Sequence, residues 1–67
     1  MSVMKIIEIS ASSPKSFEDA IQEGLKRTEK TLQNISFAKI EKQYVTIEDN
    51  KVKEFHVGMK VKFSVNE

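Results

Sequence analysis

The chain has no cysteine and no tryptophan, one histidine, one proline and two glycines among its 67 residues. Each scarcity excludes something. Without cysteine there is no disulfide framework, no thiolate metal site and no thiol nucleophile. The one histidine, His56, makes no zinc site with carboxylates alone at any familiar spacing. Two glycines leave no room for a glycine-rich phosphate loop. An excess of one charge is also missing. Eleven lysines and arginines stand against ten aspartates and glutamates, a net charge of +1, which gives no electrostatic footprint for nucleic acid. No apolar run approaches a membrane span, and the N-terminus lacks the basic start and apolar core of a signal peptide. The expected location is the cytoplasm.

What is present describes one small globular domain covering residues 1–67, with 39% hydrophobic and 31% charged residues. A fold of this size is thinly stabilised, and small domains usually compensate with disulfides, a metal or oligomerisation. Only the third route is open here.

The strongest pattern lies near the C-terminal end. Phe55, Val57, Met59, Val61, Phe63 and Val65 alternate with Glu54, His56, Gly58, Lys60, Lys62 and Ser64, which predicts a long strand with one apolar face. Val3 to Ile9 reads as a first strand, and adjacent Ile6 and Ile7 put apolar groups on both of its faces. The small, polar, proline-bearing stretch from Ser10 to Lys15 reads as a loop. Phe17, Ala20, Ile21, Gly24, Leu25, Thr28, Thr31, Leu32 and Ile35 recur at three- and four-residue steps, predicting one amphipathic helix from about Phe17 to Asn34. Ser16 is its expected N-cap, with Glu18 and Asp19 in the first turn; a rival start is Ser13 followed by Pro14. Gly24, on the apolar stripe, is expected to let the helix approach the sheet closely.

Ser36 to Glu48 reads as a second strand whose apolar residues change parity, from Ala38 and Ile40 to Val45 and Ile47. A bulge near Lys42 to Tyr44 would reconcile them. Asp49-Asn50 then predicts a two-residue hairpin turn into a third strand from about Val52 to Val65. The fold class is α+β: a β-α-β-β chain whose three-stranded, mainly antiparallel sheet carries one helix on one face. So long a sheet is larger than one helix can shield.

If Ala38, Ile40, Phe55, Val57 and Met59 face the helix, Phe37 and His56 point to the uncovered face. They lie near the starts of two antiparallel strands, so any meeting between them is expected across a subunit boundary. The bland interpretation is that Phe37 fills a subunit contact and His56 is a solvated surface residue. Other chemistry is weaker. The serines look like turn and cap residues, and the carboxylates are dispersed, with no acid/base couple. Lys51, Lys53, Lys60 and Lys62 are interleaved with glutamates, as on a solvated face. No catalytic residue and no metal ligand is assigned.

Lys5-Ile6-Ile7-Glu8-Ile9, then Ser13 with Ser16-Phe17-Glu18-Asp19-Ala20, Thr31-Leu32-x-Asn34-Ile35, Ile47-Glu48-Asp49-x-Lys51-Val52, Phe55-x-Val57 and Lys60-Val61-Lys62-Phe63 follow one another in an order that resembles the dodecins. The resemblance covers nearly the whole chain. It implies a hollow homododecamer that binds a flavin (riboflavin, FMN or FAD) without catalysis. In flavin-binding members, paired flavins stack between symmetry-related tryptophans at the start of the second strand. A glutamine early on the third strand bonds the polar edge of the ring. By motif, these positions are Phe37 and His56 here. Phenylalanine keeps a stacking surface but offers less area and no indole N–H. A neutral imidazole donates or accepts through one nitrogen at a time, where glutamine does both. The resemblance therefore implies flavin storage or sequestration between subunits, and the charge balance and short apolar runs add the expectation of no nucleic acid or membrane partner. The alternative is the same shell as a structural or interaction assembly without flavin. A third reading is a monomeric binding module.

Overall fold

The computed structural model describes residues 3–32 and 34–65. Strand β1 (Met4–Ser13) is followed by helix α1 (Phe17–Thr28) and strands β2 (Ile35–Glu48) and β3 (Lys51–Ser64). The sheet order is β1-β3-β2 and both pairings are antiparallel, which is the expected β-α-β-β fold. The helix packs on β1 and β3. The strand with the cleanest alternation is therefore the central one. Its Val57, Met59 and Val61 are buried together with Ala20 of the helix. Ile7, Ile9 and Ala11 of β1 and Ile21 and Leu25 of α1 pack around them. At one end Phe17 meets Phe55 edge to face, with ring centroids 5.1 Å apart.

Strand β1 is longer than expected. Ser10, Ala11, Ser12 and Ser13 are not loop but ladder residues, paired with Gly58, Val57, His56 and Phe55. Central β3 offers backbone donors and acceptors along its whole length, and leaving them unpaired costs more than the weak strand preference of serine. Ser13 closes the strand. It is 2% exposed. Its hydroxyl donates to Asp19 Oδ2 at 2.6 Å and accepts from the Lys15 amide at 3.0 Å. Ser13→Ala removes both bonds and leaves the Asp19 carboxylate short of a donor, so a loss of about 1–3 kcal/mol in denaturant titration is expected.

Ser16 is the N-cap, its hydroxyl accepting from the Asp19 amide at 2.9 Å. The helix ends at Thr28 rather than running to Asn34; Gln33, within that expectation, lies outside the described residues. Thr28 Oγ1 donates to the Gly24 carbonyl at 2.8 Å, and the Lys30 and Thr31 amides bond three residues back, the tight pattern of a terminating turn. Asn34 then takes φ 61°, turning the chain into β2. Of the residues that prolonged the helical spacing, Ile35 packs on the core from β2, Leu32 is half-buried in the turn and Thr31 is exposed.

Gly24 is a close approach. A Cβ built there would stand 2.9 Å from Ala11 Cβ and 3.0 Å from Met59 Cε. Gly24→Ala gains roughly 1 kcal/mol of helix propensity but overpacks the interface at a cost of about 1–3 kcal/mol. A lowered thermal midpoint is the expected result; a raised one would mean the helix can lift without loss.

The hairpin turn is as expected, with Asp49 at φ 53° and Asn50 at φ 62°, both in the left-handed region. Register shifts along β2–β3 leave three residues without a ladder partner: Ser36 and Glu41 on β2, and Lys53 on β3. The shift at Glu41 performs the parity change expected near Lys42 to Tyr44, one residue earlier than placed. It sends Ala38, Ile40, Gln43, Val45 and Ile47 to the helix side.

The molecule is thin, 52 × 20 × 13 Å, with a radius of gyration of 13.9 Å. A compact chain of this length has about 11 Å. Its accessible surface is 5267 Å², against roughly 4300 Å² for a compact monomer of this mass. Ile6, Phe37, Tyr44, Ile47 and Val52 are all exposed. Among the described residues, no helix is long and apolar enough to cross a membrane.

Candidate functional site: the open face of the sheet

The face without a helix is built from cross-strand rows. From one end these are Ile6–Lys62–Phe37, Glu8–Lys60–Lys39, Ser10–Gly58–Lys42 and Ser12–His56–Tyr44, with Glu54 beside Thr46 beyond them. Each row spans β1, β3 and β2, so its outer members stand about 10 Å apart. Phe37 and His56 are both on this face, as expected from parity.

Phe37 is 52% exposed and Ile6, across the row, is 58% exposed. Between them Lys62 places its Nζ 5.3 Å from the centre of the phenyl ring. The row is thus an apolar shelf with a cation at its centre. Such a surface fits a planar, electron-rich or anionic ring laid flat, because stacking uses the ring face and the ammonium supplies a charge at its edge.

His56 lies six residues along β3 from Lys62, about 20 Å away. Its ring stacks on Tyr44, with centroids 4.7 Å apart and planes 3° from parallel. Its Nε2 is 3.4 Å from Thr46 Oγ1. One chain therefore does not bring Phe37 and His56 together. A planar ligand touching both needs a second copy.

Tyr44 was missed in the sequence. Counting back from the two-residue turn pairs it with Phe55, on the helix side. The unpaired Lys53 shifts the ladder by one, so that Val45 opposes Phe55 and Tyr44 opposes His56. That slip sets Tyr44 directly opposite His56 on the open face, where Tyr44 is 54% exposed. No residue pattern marks Lys53 as a bulge, so only three-dimensional register reveals the pair.

Between the two aromatic ends lies a charged row. Lys39 and Lys60 oppose each other across the ladder, and Glu41 answers both, at 3.9 Å and 3.2 Å, with Glu8 4.0 Å from Lys60. The unpaired position of Glu41 lets it reach two lysines. Next to this row, Lys42 drapes over Gly58, its Cγ 3.2 Å from where a Cβ would stand. Gly58, Ser10 and Ser12 floor a shallow cleft of about 210 Å³ that reaches His56 and Tyr44. Among the described residues, no group of three or more histidines, cysteines and carboxylates is placed to hold a metal ion.

The dodecin family model matches residues 3–66. Among solved structures, the chain is similar to a tryptophan-to-phenylalanine variant of the dodecin from Thermus thermophilus, with 34% identity, all of both chains covered and a TM-score of 0.95. It is similar to the dodecin from Streptomyces davaonensis at 26% identity, covering 98% of this chain and 97% of that one, with a TM-score of 0.94. A further relative is calcium dodecin from Mycobacterium tuberculosis, a calcium-chelating immunodominant antigen with a novel calcium-binding site. It is 27% identical, with 97% of this chain and 93% of that one covered and a TM-score of 0.85. No curated protein matches.

Proposed function

The chain belongs to the dodecin family, and from that membership and the open sheet face we propose that it is a homododecameric, non-catalytic flavin-binding protein that stores or sequesters flavin between subunits. The observation that carries this reading is Phe37: a half-exposed aromatic ring beside exposed Ile6, with the Lys62 ammonium against it. Surface of this kind, on a chain with roughly 900 Å² more accessible area than a compact monomer of its mass, is accounted for when another copy covers it.

A bound flavin supplies a planar, redox-active, light-absorbing ring. The residues of this chain supply the rest. Phe37 stacks on the ring face, and Lys62, already against the phenyl, places positive charge near the ring's edge. His56 of another copy provides a hydrogen bond to the polar edge. The role proposed for this face is binding, not turnover.

The test is direct. Purified protein at micromolar concentration should elute as an assembly of about twelve chains and quench the fluorescence of added riboflavin and FMN. A large assembly that leaves both flavins fluorescent would replace this reading with a structural shell in which Phe37 is only a subunit contact. A stable monomer would remove both.

A further inference from the structure

We propose that Tyr44 and Thr46 are positioning residues for His56, holding its imidazole in one orientation so that a single ring nitrogen, Nδ1, is offered to a planar ligand. The proposal deepens the flavin reading above and rests on it for the identity of the ligand.

Three observations carry it. The Tyr44 and His56 rings are parallel within 3° at a centroid separation of 4.7 Å, which is offset stacking and covers one face of the imidazole. Thr46 Oγ1 stands 3.4 Å from Nε2, so the second ring nitrogen has a hydroxyl neighbour that serves as donor or acceptor for either tautomer. Nδ1 makes no hydrogen bond among the described residues. Across β3, the row ends in Ser12, too small to cover the ring from that side, and the cleft over Gly58 opens there. A side chain with two free torsions is thus restrained on one face and at one nitrogen, while its remaining nitrogen is unengaged.

This arrangement answers a chemical shortfall. An imidazole makes one hydrogen bond per nitrogen and cannot both donate and accept at a ligand's edge as an amide does. Pre-organisation offsets the missing bond, because a ring already held in place loses less freedom on binding. Both partners come from β2, set by the Lys53 bulge: Tyr44 directly opposite His56, and Thr46 on the diagonal. The charged groups nearest this row are Lys42, on the Gly58 row, and Glu54, opposite Thr46, with paired Glu48 and Lys51 farther out beside the turn. Among the described residues, none of them makes a hydrogen bond or ion pair with the imidazole.

Two measurements on the assembled protein test the proposal. His56 is the only histidine, so carbethoxylation by diethylpyrocarbonate, followed by ultraviolet absorbance, reports on one imidazole. Tyr44→Leu and Thr46→Val should each speed the reaction several-fold, while Tyr44→Phe and Thr46→Ser, which keep the ring and the hydroxyl, should react as wild type does. In flavin titrations, Tyr44→Leu should weaken binding roughly 5- to 10-fold. The same change in a His56→Ala background should have no further effect, since it acts only through the imidazole. Equal carbethoxylation rates in all variants, or an equal affinity loss from Tyr44→Leu with and without His56, would overturn the proposal. A wild type that binds no flavin, with reaction rates still separating the variants, would remove the flavin reading and leave the restrained imidazole standing.

Discussion

With the flavin site proposed above, Phe37→Trp should tighten flavin binding by roughly 5- to 30-fold. Aromatic stacking contributes about 0.5–1.5 kcal/mol beyond area burial, and an indole adds both area and polarisable surface where the phenyl ring is already half exposed. A gain of about 1–2 kcal/mol converts to that range. The opposite change is larger. Phe37→Ala removes roughly 1.5–3 kcal/mol of apolar burial together with the stacking contribution, so affinity should fall by ~30-fold or more. Isothermal titration with riboflavin and FMN at fixed ionic strength measures both. Fixing ionic strength matters because Lys62, 5.3 Å from the ring centre, contributes a screened charge. Should tryptophan leave affinity unchanged while alanine disperses the assembly, Phe37 is a subunit contact and not a ligand surface.

Met59→Ala is the most damaging single change expected in the core. Met59 is one of four buried apolar residues among those described, lies near the centre of the middle strand and reaches the helix at Gly24. Truncating a buried methionine costs about 2–5 kcal/mol, the upper part applying where the surroundings cannot collapse. Collapse is restricted here, because Ala11 already meets the helix at Gly24 and leaves no slack. In so thin a molecule, a loss of this size should make unfolding and dissociation one event, with a thermal midpoint that rises with protein concentration. Light scattering recorded through thermal ramps at several protein concentrations would show it. An unchanged midpoint would locate the stability of the assembly in subunit contacts alone.

The legibility of this protein in its sequence depended on where local physics agreed with the global fold. The alternation of β3 was readable because a central strand with one buried face must repeat every two residues. The N-cap at Ser16 and the turn at Asp49-Asn50 were readable because each depends on its own side chain and backbone preference. The extension of β1 through Ser13 was not. Three serines and an alanine have little strand preference, and they are in the sheet because β3 continues beside them. The end of the helix was also hidden, since Leu32 and Ile35, in a turn and a strand, keep the same spacing that a helix would use, and only Ile35 of the two packs on the core.

The candidate site divides the same way. Parity put Phe37 and His56 on the uncovered face, because Ala38, Ile40, Phe55, Val57 and Met59 claim the helix side. Tyr44 and Thr46 came beside His56 only through a one-residue register slip at Lys53, which sets the residues of β2 that oppose each residue of β3. Side-chain chemistry and periodicity therefore determined the elements, their order and the face that carries the aromatic and the imidazole. Tertiary structure decided which residues share a row on that face, because a ladder's register depends on bulges that no single strand encodes.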